Sequence, residues 1–171
     1  IKYKNLKEFI DKSVLITGGA GSIGSELCRQ LINLKSKKIV LLDHDETALF
    51  NIAREVDEKK IKLIPILGSV TDGNFIKKII FKYKIDHIFH AAAYKHVEML
   101  EYNIIKAVEN NVFGTLSILR GLSNKVKTLT IISTDKAAQP KNILGLTKRL
   151  SEIIAENFFS TNLNSKTKLS I

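Results

Sequence analysis

Two groups of residues in this chain have types and spacings that can do chemistry. The first is Val14-Leu15-Ile16-Thr17-Gly18-Gly19-Ala20-Gly21-Ser22-Ile23-Gly24, an apolar run that feeds into glycines at positions 18, 21 and 24 and then into helix-forming residues. That pattern divides the labour of cradling a phosphate group: Gly18 permits a tight turn, Gly21 lets backbone approach a diphosphate, and Gly24 lets a helix pack on its strand. The helix N-terminus, with Ser22 and Ile23 in its first turn, would present unpaired amides and a positive dipole end to the anion. The same spacing also describes a plain strand-to-helix turn, so its surroundings must decide. The second group is Ser133-Thr134-Asp135-Lys136, with Lys148 twelve residues on: hydroxyls, a carboxyl and amines close in sequence. Taken alone it reads as a polar turn leading into a helix.

A third feature bears on the first. Asp43 closes the apolar run Ile39-Val40-Leu41-Leu42, nineteen residues after Gly24. An acid at that offset, on the tip of a second strand, suits the paired hydroxyls of a ribose and repels a 2'-phosphate. No Arg follows immediately, which favours NAD over NADP as the dinucleotide. The competing reading of Asp43 is a helix cap, with His44-Asp45-Glu46 as ordinary first-turn residues.

The elements that must position these groups alternate along the chain. Leu6, Phe9 and Ile10 suggest a short lead-in helix, so residues 1–12 read as a lead-in and 13–171 as one domain. A first strand, Ser13 to Thr17, is followed by a helix with Ile23, Leu27, Leu31 and Leu34 on its buried face. Leu49, Ile52, Ala53 and Val56 stripe a second helix, and Ile61 to Leu67 form a third strand interrupted by Pro65. Proline donates nothing to a ladder, which places that strand at a sheet edge. Thr71-Asp72 caps a helix carrying Phe75, Ile76, Ile79, Ile80 and Tyr83; a fourth strand, Asp86 to His90, then runs into the small residues Ala91, Ala92 and Ala93. Ile105, Val108, Val112, Leu116 and Leu119 stripe one further helix; Thr128 to Ser133 form a fifth strand. A helix from Asn142 to Phe159 turns Leu146, Leu150, Ile153, Ile154 and Phe158 inward, and Lys168 to Ile171 begin a sixth strand. Alternation of this kind predicts an α/β, doubly wound parallel sheet (Rossmann) with strand order 3-2-1-4-5-6. In it Gly18, Asp43, Ala91 to Ala93 and Ser133 to Lys136 share one rim, the ligand-binding edge of such sheets, and that convergence decides for a dinucleotide.

Composition bounds the rest. The chain has 171 residues, 44% of them hydrophobic, which suffices for one core, and no apolar run reaches bilayer length. It opens on Ile1 and stops as a new apolar alternation starts, so it is expected to be a piece of a longer protein. Cys28 is the only cysteine and fills core; no cluster has metal-ligand spacing. The net charge of +10 would suit nucleic acid, an anionic membrane surface or a phosphorylated small molecule. Its lysines, among them Lys35, Lys37, Lys38, Lys59, Lys60, Lys125 and Lys127, are scattered without interleaved aromatics. Solvated loops and helix ends are therefore the expectation, and no nucleic-acid partner.

Four pieces together resemble the extended short-chain dehydrogenase/reductase superfamily, and within it the nucleotide-sugar 4,6-dehydratases acting on UDP-N-acetylglucosamine. They are Thr17 to Leu27, His90-Ala91-Ala92-Ala93-Tyr94-Lys95-His96-Val97, Asn110-Asn111-Val112-Phe113-Gly114-Thr115 and Ser133-Thr134-Asp135-Lys136-Ala137. The resemblance implies a redox-neutral reaction: hydride leaves sugar carbon 4, water is lost across carbons 5 and 6, and hydride returns at carbon 6. It implies that Thr134 contacts the carbon 4 hydroxyl, Asp135 is the acid, Lys136 the base, and Lys148 holds the nicotinamide ribose. Asp135 would then need burial or a substrate diphosphate to keep its proton, and Lys136 a lowered pKa. Ser69 and Val70 would lie by the adenine, Ser69 standing where many relatives have Asp, while Lys95 and His96 either reach the sugar nucleotide or line a loop. Superfamily members usually carry Tyr four residues before that Lys; here the position is Leu144, which cannot exchange a proton and points to the large, membrane-anchored bacterial branch. His90 reads as a strand-end histidine satisfied by backbone, and Glu98 stands where relatives often have Pro. The resemblance implies that the sheet is truncated before a substrate-binding lobe, and a cytoplasmic location, as the cytoplasmic part of an inner-membrane protein, with membrane contact only through a segment outside this chain. It implies a UDP-sugar substrate and leaves a homo-oligomer open, as it leaves open two other readings: a sugar-nucleotide epimerase or a non-catalytic NAD-binding module.

Overall fold

The computed structural model describes residues 6–56, 61–162 and 166–171; the start of the lead-in, Lys59 and Lys60 lie outside them. Six strands form one sheet: β1 (Ser13–Thr17), β2 (Lys38–Asp43), β3 (Lys62–Leu67), β4 (His87–His90), β5 (Thr128–Ile131) and β6 (Lys168–Ser170). Their order is β3-β2-β1-β4-β5-β6, every pair parallel, as the alternation predicts. β1 is buried along its whole length, because helices cover both faces of a crossover-built sheet. Two apolar cores result, one around Leu15, Ile76, Ile88 and Ile118, the other around Ile16, Cys28, Leu41 and Leu49. Cys28 fills core as expected, and burial pushes its thiol up to about 11, where it is inert. β3 is an edge strand, the place Pro65 demands.

Seven α-helices are described: α1 (Ser22–Asn33), α2 (Glu46–Glu55), α3 (Gly73–Tyr83), α4 (Val97–Tyr102), α5 (Ile104–Ala107), α6 (Gly114–Gly121) and α7 (Ile143–Thr161). The lead-in is a single 3-10 turn, Leu6–Phe9. Three expectations about buried faces fail. Ile23 is 52% exposed, because it stands on the open first turn of α1. The single helix expected around Ile105 to Leu119 is instead α5, a π-helical stretch Val108–Phe113 and α6. A π turn takes in an extra residue, so a stripe spaced for 3.6 residues per turn slips round the axis, and Ile105 ends 74% exposed. On α7, Leu146, Leu150 and Ile153 face outward at 50%, 44% and 46% exposure, while Leu144, Thr147, Lys148, Ser151 and Ala155 are buried. Ile154 and Phe158 do pack against the core as expected, but polar and small side chains share the inward face with them.

Parallel strands all start at one rim and end at the other. The starting rim is marked by lysines: Lys12 precedes β1, Lys37 and Lys62 stand at β2 and β3, Lys84 and Lys127 precede β4 and β5, and Lys168 opens β6. The residues with chemical potential stand at the other rim.

Candidate functional site

The glycine turn follows from backbone space. Gly18 sits at φ +66, and a Cβ there would stand 2.6 Å from the Ala92 amide nitrogen. A Cβ on Gly24 would strike the Gly18 carbonyl, which already accepts from Gly21 N–H at 3.1 Å. Only glycines let β1, the turn and α1 close up this way. The helix that begins here is left open at its N-terminus: its cap residue is Gly21, without a capping side chain or an acid in the first turn. By contrast Asp45, Asp72 and Asn142 each accept an amide at the starts of α2, α3 and α7. Unpaired amides at a positive helix end facing a cleft are what a diphosphate requires.

The cleft measures about 250 Å³. Gly18, Gly21, Ser22, Ile23 and Gly24 form one wall, Asp43 and Val70 another, and Ala91, Ala92, Ala93, Tyr94 and Lys95 run past it from the end of β4. Asp43 is 8% exposed and is no helix cap, since Asp45 caps α2. Its Oδ2 accepts from Ala20 N–H at 2.9 Å and its Oδ1 from the amides of His44 and Asp45 at 2.8 and 3.1 Å. Three donors leave capacity on a carboxylate with about four acceptor sites, enough for a sugar hydroxyl. Ser69 does not line the cleft: its hydroxyl is paired with Thr71 Oγ1 at 2.8 Å, and Gly68 and Val70 stand there instead. His96 also lies outside the cleft, as the residue before α4, whereas Lys95 lines it.

Thr134, Asp135 and Lys136 follow β5 on the same rim, two strands across from the glycine turn. Ile132 N–H donates to His90 O at 3.0 Å, so the segment leaves the sheet beside Ala91. Thr134 donates to Asp135 Oδ1 at 2.9 Å, and the Lys136 ammonium stands 3.5 Å from that oxygen. The Asp135 side chain is 89% exposed, and the Thr134 hydroxyl and then the Lys136 charge hold its carboxyl below the usual range. That corrects the expectation of burial: in the free chain Asp135 is a carboxylate. Lys148 projects from α7 beneath the turn and donates to the Ile132 carbonyl. It is 8% exposed; burial pushes its amine down to about 8, with the Glu152 carboxylate opposing. His90, expected to be satisfied by backbone, instead pairs its Nδ1 with Thr17 Oγ1 at 2.7 Å and its Nε2 with Thr115 Oγ1 at 3.0 Å. Burial, and secondarily the Lys148 charge, push it down to about 3, so it stays neutral. Among the described residues no group of three His, Cys or carboxylate side chains could hold a metal ion.

Residues that position the site escaped the sequence reading. Asn111 is 2% exposed; its Oδ1 accepts from Tyr94 N–H at 2.8 Å, and its Nδ2 donates to Tyr94 O and Thr147 Oγ1, both at 3.1 Å. It ties the Ala91–Tyr94 segment to the π-helical stretch and α7; the Asn110-Asn111 pair was visible, its buried geometry was not. At Gly145 a Cβ would meet the Lys136 carbonyl, so the Asp135–Ala137 turn rests on this glycine. Ser133 donates to Glu152 Oε1 at 2.5 Å, fixing the start of the same turn to α7. A helix-periodicity argument sees Gly145 only as a weak helix former.

Residues 14–171 match a family model described as polysaccharide biosynthesis protein. The chain is 36% identical over 165 residues to the capsular polysaccharide biosynthesis protein CapD of Staphylococcus aureus, covering 94% of this chain and 27% of that protein. It is 34% identical to a UDP-glucose 4-epimerase of Rickettsia bellii, covering 93% of this chain and 47% of that one. It is 32% identical to a UDP-N-acetylglucosamine 4,6-dehydratase (inverting) of Campylobacter jejuni, covering 92% and 47%. The X-ray structure of Pen from Bacillus thuringiensis superposes with a TM-score of 0.86 at 30% identity, over 94% of this chain and 49% of that one. This chain thus spans less than half the length of each of these proteins.

Proposed function

The chain belongs to the polysaccharide biosynthesis protein family, and from that membership we propose that it is the NAD-holding part of a nucleotide-sugar 4,6-dehydratase that converts UDP-N-acetylglucosamine to a UDP-4-keto-6-deoxy-N-acetylhexosamine. The observation that carries this reading is a juxtaposition. One rim holds an uncapped helix N-terminus with a buried carboxylate beside it and, two strands away, a hydroxyl–carboxyl–amine turn over a buried lysine. A dinucleotide needs the first half and a sugar elimination the second.

In this reading the amides of Ser22 to Gly24 bind the diphosphate, Gly21 lets it approach the backbone, and Asp43 binds the adenosine ribose. Val70 borders the adenine, and Ala91 to Ala93 let backbone lie against the dinucleotide. Lys148 holds the nicotinamide ribose. NAD, when bound, would supply the acceptor for the hydride leaving sugar carbon 4, which acidifies the neighbouring carbon 5 proton, and the donor that returns that hydride to carbon 6 once water has left. Thr134 orients the carbon 4 hydroxyl, Lys136 takes the carbon 5 proton, and Asp135 protonates the hydroxyl leaving carbon 6. Lys136 and Asp135 as an ammonium–carboxylate pair contain the same protons as an amine beside a carboxylic acid. One transfer across their 3.5 Å contact converts one form into the other, and a sugar that excludes water from the turn favours the neutral form. Shedding water replaces the burial that Asp135 lacks in the free chain. Lys95, which lines the cleft, reaches the sugar nucleotide in this reading.

A second reading, a sugar-nucleotide epimerase, is favoured by the 34% identical relative of that name. Leu144 counts against it: its side chain packs with Leu100 and Ala107 and offers no exchangeable proton where related epimerases use a tyrosine. Incubating the full-length protein with UDP-N-acetylglucosamine and NAD separates the possibilities. A 4-keto-6-deoxy product is expected; an epimer establishes the second reading, and absence of turnover with NAD bound leaves a non-catalytic module.

A further inference from the structure

Lysines that look scattered along the sequence are gathered in space. The segments 7–12, 34–38, 61–62, 82–87, 122–128 and 162–168 meet at the rim where the strands start, and their described residues hold twelve lysines against three carboxylates, Glu8, Asp11 and Asp86. The rest of the described chain holds eleven basic residues and twelve acidic ones. Hydrogen bonds stitch the rim together: Lys168 N–H donates to Lys127 O at 2.8 Å, Lys127 N–H to Asp86 O at 2.6 Å, Asp86 N–H to Ser13 O at 2.8 Å, and Lys37 N–H to Lys12 O at 2.9 Å. The lysines repel one another at this spacing. After burial, the charges of Lys62, Lys37 and Lys84 are what hold the Lys38 ammonium below its usual range. Uncompensated charge of this kind costs stability, and it stands at the rim opposite the proposed diphosphate cradle, so an anionic small molecule bound there does not account for it.

We propose that this lysine rim docks the protein on an anionic lipid bilayer, with the cleft and the Thr134–Lys136 turn facing away from the membrane. Three features favour lipid over nucleic acid. The described rim segments carry lysines only, with Arg54 and Arg120 alone on the last turns of α2 and α6 beside them, so forked donors that read phosphate and base edges bidentately are few. It is built from strand starts and helix ends, and presents neither a helix nor a ribbon to a groove. Its exposed apolar side chains are Phe81, 82% exposed on the last turns of α3, and Ile10, 45% exposed, rather than a row of rings for stacking bases. Lysines around a few apolar side chains suit headgroups above an acyl boundary. Docking this way leaves the opposite rim open to a soluble sugar nucleotide. The proposal does not depend on which reaction that rim performs.

The test is co-sedimentation of the chain with phosphatidylcholine vesicles carrying roughly 30% phosphatidylglycerol, at about 0.1 M salt, beside pure phosphatidylcholine vesicles and mixed-sequence duplex DNA. Binding to the anionic vesicles alone is expected, falling as salt rises. The variant Lys37→Glu, Lys62→Glu, Lys125→Glu, Lys168→Glu should bind at least about tenfold more weakly. A control of equal net charge on the opposite side, Lys95→Glu, Lys106→Glu, Lys141→Glu, Arg149→Glu, should stay within about twofold of the parent. Matching melting temperatures of the two variants show that both are folded; if the rim variant melts lower, the Lys→Gln set at the same positions takes its place. No retention on anionic vesicles, equal losses in both variants, or DNA binding as strong as vesicle binding would each overturn the proposal.

Discussion

Lys148 stands between opposing demands: burial against its charge, and the Ile132 carbonyl and Glu152 carboxylate in favour of it. In the folded chain it releases its proton near pH 8, against an ordinary value of 10.5. Between those values the unfolded state binds more protons than the folded one, so this group makes stability rise with pH through that window. Lys148→Met should remove the rise, on the order of 3 kcal/mol, which urea midpoints measured from pH 8 to 10.5 will show. Asp43 makes a different prediction. Its three backbone donors face oxygen, and in Asp43→Asn one of them meets an NH₂ group or loses its charged acceptor. Calorimetric titration should find NAD bound about ten- to a hundredfold more weakly, with the preference over NADP reduced. An unchanged preference would remove Asp43 from the ribose.

At the scale of elements, two glycines serve the two halves of the site separately. Gly24→Ala forces α1 away from the Gly18 carbonyl, and Gly145→Ala forces α7 away from the Lys136 carbonyl. The first should abolish NAD binding; the second should weaken it only several-fold, through the Lys148 carried on α7, while the full-length enzyme loses activity by at least about tenfold. Equilibrium titration and turnover on the same preparations distinguish them. The first half was readable in sequence because a strand, a glycine spacing and an acid at a fixed offset are local signals. The second was legible only through the family resemblance, because the helix that supports it keeps Ile154 and Phe158 on the core yet turns three other apolar side chains outward. The buried face of α7 is Thr147, Lys148, Ser151 and Ala155, chosen by the site, and Leu146, Leu150 and Ile153 are left outside. Likewise nothing in the composition of Val108–Phe113 announces a π turn, although the buried Asn111 within it holds both main-chain groups of Tyr94 and the Thr147 hydroxyl.

At the scale of the whole molecule, strand order and the binding rim follow from the alternation of elements, because parallel crossovers leave little choice of topology. The distribution of charge does not follow from the order of residues, since lysines far apart in the chain become neighbours only when six strands begin side by side. Their mutual repulsion predicts that raising salt from about 0.01 M to about 0.15 M lifts the melting temperature by a few degrees, and calorimetry will read it. A fall would mean that attractive pairs such as Lys127–Asp86 outweigh the crowding at the rim.

The outer edge of β3 has a consequence for how copies of the chain behave together. Alternate residues along a strand point their amides the same way, and on this edge Pro65 has no amide while Leu63 N–H is spent on Ile61 O at 3.1 Å. A foreign strand approaching there finds almost no donors to zip onto, so concentrated protein should resist fibre growth from this flank. Pro65→Val restores the missing donor, and turbidity on prolonged incubation should then climb where the parent solution stays clear.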